Sequence, residues 1–151
     1  MRPAIAVGRG LPPAVARRPA RPTMVSTDPL TAPHESPLQA ISNAMAQIHK
    51  TQFGRGPTKV KTYFAGPDAV VCVLEDTQTP AEKRLVELGE HQRLRDVRLF
   101  FQYATEDDMR APVEHATGRR VRAFISGIDV RADASVELFL LESTADAEPA
   151  G

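Results

Sequence analysis

The chain has 151 residues, enough for one domain of ordinary size and too few to divide comfortably into two. Lys and Arg number 19 and so do Asp and Glu, which excludes a global field drawing the protein to nucleic acid or an anionic membrane; polyanion binding would need a local patch. Hydrophobic residues at 42% and charged residues at 25% describe a globular protein, and no apolar run approaches the roughly 20 residues of a membrane span. The single cysteine, Cys72, excludes an internal disulfide. Its neighbours Val70, Val71, Val73 and Leu74 imply burial, and a reducing, cytoplasmic compartment is expected.

Residues 1–35 differ from the rest. Five arginines (Arg2, Arg9, Arg17, Arg18 and Arg21) precede the first acid, Asp28, and prolines recur from Pro3 to Pro33. Proline removes donors and fixes φ, so this stretch reads as a disordered tail rather than a helix or central strand. Ala4–Val7 is too short for the apolar part of a secretory signal. Met24-Val25-Ser26-Thr27-Asp28 reads as an alternative translation start, which would leave residues 1–23 untranslated.

Ser36-Pro37 offers an N-cap with proline at the first helical position. Leu38, Ile41, Met45 and Ile48 then recur at helical spacing, to a stop at Gly54. Thr58–Phe64 alternates with period two, Ala65-Gly66-Pro67-Asp68 is turn chemistry, and Ala69–Leu74 is a continuous apolar run. The pair reads as a hairpin whose second strand is buried on both faces. Thr79-Pro80-Ala81-Glu82 is a capping box opening a short helix. A longer helix over Glu90–Thr117 follows, with Leu94, Val97, Phe101 and Ala104 on its core stripe. It would span roughly 40 Å if straight, so a kink near Asp108, ahead of Pro112, or a projecting end is expected.

A second hairpin closes the domain. Val121, Ala123 and Ile125 alternate with Arg120, Arg122 and Phe124, and Val136, Leu138 and Leu140 alternate with Glu137 and Phe139. This assigns Phe124 and Phe139 to a wet face. Residues 143–151 read as a second disordered tail. The class is α+β, in the order α-β-β-α-α-β-β. One domain over residues 36–142 is expected, with an antiparallel four-stranded sheet of two hairpins packed against helices.

Gly54-Arg55-Gly56-Pro57, Thr79-Pro80-Ala81-Glu82, Arg98, Glu114 with Thr117-Gly118-Arg119, and Glu137-Leu138-Phe139 together resemble the MpsC-like family of small bacterial domains. The resemblance covers nearly all of Leu38–Glu142. That family is associated with a Na+-translocating, membrane-potential-generating system whose other parts are membrane proteins. The resemblance therefore implies a cytoplasmic accessory role beside a membrane transport complex and supplies no catalytic residues. Pro112 and the arginine-rich tail depart from the family pattern.

Catalytic chemistry is not legible. The histidines lack metal-site spacing, Glu106-Asp107-Asp108 points three ways around a helix, and a thiol on an apolar strand is a poor nucleophile. No enzyme activity, metal or cofactor is expected. Two candidate sites remain. Gly54, Arg55 and Gly56, with Lys59 and Lys61 nearby, read either as an anion- or nucleotide-binding loop or as a plain helix cap and strand entry. Arg98, Arg120, Arg122, Phe124, Glu137 and Phe139 read either as an interface or as sheet and helix stabilisation. The expectation that follows is a non-catalytic module acting by protein–protein contact, as a homodimer. The rival is a small-anion sensor. The tail has no aromatic residues for stacking on bases, so no strong nucleic-acid signal is present.

Overall fold

The computed structural model describes residues 34–144, so the two tails read from the sequence, and Met24, fall almost wholly outside the described residues. The elements are α1 (Pro37–Phe53), β1 (Lys59–Phe64), β2 (Ala69–Glu75), α2 (Pro80–Glu87), α3 (His91–Ala104), α4 (Glu106–Thr117), β3 (Val121–Asp129) and β4 (Ala134–Leu141). The two hairpins pair through β2 and β4 into an antiparallel sheet of order β1-β2-β4-β3. The α+β architecture is as expected, with one more helix than the sequence shows.

Local chemistry sets most boundaries. The Ser36 side chain accepts from the Gln39 amide at 3.2 Å, and Pro37 fills a position that needs no donor. Gly54 ends α1 at φ 74°, its amide donating to the Lys50 carbonyl at 2.9 Å. Thr79 and Glu82 form the reciprocal capping box of α2.

The long helix breaks at Thr105, three residues before the expected kink. Thr105 takes φ −110° and ψ 23°, and its hydroxyl donates to the Phe101 carbonyl at 3.0 Å. The Gln52 amide reaches the same carbonyl from α1 at 2.9 Å. Breaking here lets α3 lie over β3 while α4 packs on α1. Pro112 stays inside α4, so the bond it cannot make is the one to the Asp108 carbonyl in the first turn. Glu106, Asp107 and Asp108 occupy that turn, where the helix dipole favours carboxylates.

The helices cover one face of the sheet. The core there joins Ile41 and Met45 of α1, Val70, Cys72 and Leu74 of β2, Met109 and Val113 of α4, and Val121, Phe124, Phe139 and Leu141. A smaller cluster of Leu94, Ile128 and Val130 lies under α2 and α3. Two face assignments read from the sequence are reversed. Phe139 and Glu137 are fully buried and Phe124 nearly so, while Val136, Leu138 and Leu140 turn to the side that no described helix covers. In β3 an irregularity between Val121 and Ala123 inserts Arg122, so that Phe124, Ser126 and Ile128 point inward. β2 is likewise buried on one face only, Val71 and Val73 remaining half-buried on the other.

Candidate functional site

Arg55 does not stand free at its glycine loop. Its Nη1 donates to the Gln78 carbonyl at 2.7 Å and its Nη2 to Asp76 Oδ2 at 2.8 Å, tying the end of α1 to the β2–α2 loop. Asp76 and Asp133 both adopt positive φ, 55° and 50°, and lean together through the Asp76 amide and the Asp133 carbonyl. The Asp133 carboxylate accepts from the Thr77 and Gln78 amides. Beside this junction a cleft of about 640 Å³ is lined by Lys59, Lys83 and Arg131, but also by Glu75, Asp76, Glu87 and Asp133. Lys59 pairs with Glu75 at 3.7 Å and Lys83 with Asp76 at 3.4 Å. Lys61, two residues further along β1, shares the face of Lys59 but does not line the cleft. Of the basic residues at this loop, Arg55 and Lys59 each sit beside a carboxylate of the same chain.

Arg98 is the second surprise. Only 1% exposed, it sits inside the fold instead of on an interface. Its Nε and Nη2 grip Glu82 bidentately at 2.7 and 2.6 Å, Nη2 donates to the Thr77 carbonyl at 3.1 Å, and the guanidinium lies 4.0 Å from the Phe53 ring centroid. Burial pushes the Glu82 carboxyl up, but the Arg98 hydrogen bonds, the Thr79 amide and the Arg98 charge outweigh it and hold the group below the usual range. One carboxylate therefore caps α2 and anchors α3.

One turn further along α3, Gln102 also faces inward. It donates to Glu137 Oε1 at 3.0 Å and accepts from the Ser126 hydroxyl at 2.7 Å. His49 of α1 is buried beside them, its Nε2 at 3.9 Å from Glu137 Oε1, beyond hydrogen-bond reach. Burial raises the Glu137 carboxyl above the usual range, against smaller opposing contributions from His49 and Ser126. Burial likewise pushes the Cys72 thiol up to about 11, with a Thr62 hydrogen bond opposing and the Glu137 charge adding. That thiol is no nucleophile.

With Leu94, Arg98 and Gln102 turned in, α3 turns a second, apolar stripe out. Val97, Phe100 and Phe101 are exposed, Phe100 to 69%, and Ala104 completes the i, i+3, i+4, i+7 stripe. The rings of Phe100, Phe101 and Phe53 adjoin edge to face. The expected core stripe is therefore inverted at Val97, Phe101 and Ala104, while Leu94 faces inward as expected. A second apolar surface is the uncovered side of the sheet. Registered rows there carry Tyr63, Val71, Leu138 and Ile125, then Lys61, Val73, Val136 and Gly127. Arg120 and Arg122 are exposed at the far end of β3, where Arg122 Nε donates to the Leu141 carbonyl at 3.2 Å.

Sequence reasoning missed His49, Gln102, Ser126 and Asp133. The available signal was the polar series Arg98 and Gln102 at helical spacing from Leu94, one turn apart. Among the described residues no His, Cys, Asp and Glu group could hold a metal ion, and no helix is long and apolar enough to cross a membrane.

The described residues thus form an α+β domain with a buried polar spine and two apolar outer surfaces. The family described as the Na+-translocating membrane potential-generating system (MpsC) matches residues 35–143, and the chain belongs to that family. No curated protein and no solved structure matches it.

Proposed function

We propose that this protein is a non-catalytic cytoplasmic accessory module of a Na+-translocating membrane system, acting by protein–protein contact through the outer stripe of α3. The family membership supports the link to that system. The observation that carries the contact reading is the inversion of α3, which buries Arg98 and Gln102 and leaves Val97, Phe100 and Phe101 in solvent. Exposed aromatics in a contiguous patch mark binding surfaces far more often than they serve a monomer. The occupant this stripe fits is an apolar protein face, such as a helix presented by a subunit of the system.

A photoreactive residue at position 100 tests this in cells, with Gln92 of the same helix as the polar control. Adducts to subunits of the translocating system are expected at 100, absent at 92, and lost when Val97→Asp is added. Phe100→Asp itself should leave stability within about 0.5 kcal/mol, because the ring is exposed. Position-independent labelling, or none at 100, would refute the reading.

A further inference from the structure

We infer that the face of the sheet left open by the described helices receives a second copy of this chain, packed face to face about a two-fold axis running parallel to the strands. This contact is separate from that of α3, and it uses the opposite side of the domain.

The strand register decides what this face carries. Because the side-chain period of a strand is two, β1 sends Lys59, Lys61 and Tyr63 to this face, β2 sends Ala69, Val71, Val73 and Glu75, β4 sends Ala134, Val136, Leu138 and Leu140, and β3 sends Ala123, Ile125, Gly127 and Asp129. The two central strands are apolar at all but the end positions. Tyr63 and Ile125 are about half exposed, at 49% and 48%. A face of this composition is the usual inner wall of a two-sheet sandwich.

A two-fold parallel to the strands lays β1 over β3 and β2 over β4 of the second copy, row upon row. An isologous contact demands that the surface complement itself under that operation, and this one does. Val71 meets Leu138 and Val73 meets Val136, apolar on apolar. Tyr63 meets Ile125. Lys61, a long side chain, falls over Gly127, which has none; a Cβ there would approach Val136 Cγ1 closely, at 3.3 Å. In the end row Lys59, its side chain 74% exposed and 3.7 Å from Glu75 of its own chain, falls over Asp129. Asp129 accepts from the Ala132 and Arg131 amides at 3.0 and 2.9 Å, which, with the nearby Arg131 and Arg95 charges, hold it below the usual carboxylate range, so it meets the lysine as an anion. The symmetry makes that pair twice. A two-fold across the strands would instead set the charged end row on Ala69, Leu140 and Ala123. Charge complementarity therefore selects the parallel axis.

The test is sedimentation equilibrium of the full chain in the micromolar range. A dimer of the 16.5 kDa chain is expected, and Val73→Lys or Leu138→Glu should leave folded monomers with an unchanged circular-dichroism spectrum. Lys59→Glu and Asp129→Lys should each weaken association by roughly tenfold or more, since each sets like charges together twice. Mixing the two single variants should restore a mixed dimer of near wild-type affinity, which no folding defect in either chain would produce. A monomeric wild type, a dimer that survives Val73→Lys, or a mixture no tighter than its components would overturn the inference. Loss of the dimer in Phe100→Asp but not in Val73→Lys would move self-association to α3 and overturn it as well.

Discussion

Replacing Glu137 by glutamine should make the protein more stable at neutral pH. Glu137 is fully buried on β4, between His49 of α1, Gln102 of α3, Ser126 of β3 and Cys72 of β2. Its carboxyl is raised above the usual range because burial penalises the charged form. An acid whose folded pKa is raised binds its proton more tightly folded than unfolded. Its contribution to stability is therefore complete below the unfolded value, near 4.3, and is lost as pH rises through the folded value. Glutamine keeps the acceptor for Gln102 Nε2 and carries no charge at any pH. Each tenfold gain in proton affinity on folding corresponds to about 1.4 kcal/mol of stability lost by the ionised form. Against that gain stands whatever the new amide loses for want of a partner. The variant should gain roughly 1–3 kcal/mol at pH 8 and nothing near pH 4. Urea unfolding of both proteins across that range measures the difference directly. A glutamine variant less stable than wild type by an amount independent of pH between 5 and 8 would refute the reasoning, because it would mean that burial does not raise the Glu137 carboxyl.

Arg98→Ala should cost roughly 3–5 kcal/mol, since it strands the Glu82 carboxylate, the Thr77 carbonyl and the Phe53 ring together. Arg98→Lys should recover only part of this, one ammonium being unable to hold a carboxylate bidentately. Denaturant midpoints at constant m-value decide both. Cys72, with its thiol pushed up to about 11 and no exposed surface, should resist alkylation at pH 8 and react only as fast as the domain opens, so its labelling rate should follow the unfolding equilibrium in low urea. Rapid labelling without denaturant would show that the helices do not seal that side of β2.

The two candidate surfaces divide the molecule sensibly. The helices are held to one side of the sheet by polar anchors that reach across long stretches of chain: Arg55 to Asp76, Arg98 to Glu82, Gln102 to Glu137. These anchors use side chains that would otherwise sit in solvent, and they displace apolar ones outward. The exposed stripe of α3 is the direct consequence of the buried Arg98 and Gln102. A helix of this kind gains specificity inside at the expense of leaving aromatic surface outside, and a partner protein can use what is left.

What the sequence by itself determined was local. Ser36-Pro37, Gly54, the Thr79-Pro80-Ala81-Glu82 box and Gly118 each satisfy or end a helix through groups a few residues apart, so their meaning survives without knowledge of the fold. The four strands and their antiparallel pairing were legible for the same reason. Which side of β3, β4 and α3 faces the core was decided only by the tertiary structure, whereas the Ile41–Met45 stripe of α1 is buried as its spacing predicts. β4 carries apolar residues on both faces, and alternation alone cannot choose between Val136-Leu138-Leu140 and Phe139-Leu141. The choice falls to Gln102 and His49, which supply a polar setting for Glu137 from 35 and 88 positions away. In β3 the residue inserted at Arg122 shifts the phase, and in α3 the distant carboxylate of Glu82 draws Arg98 inward. Burying a charge is tolerable only beside its partner, so the side that faces inward is set by where that partner lies in space.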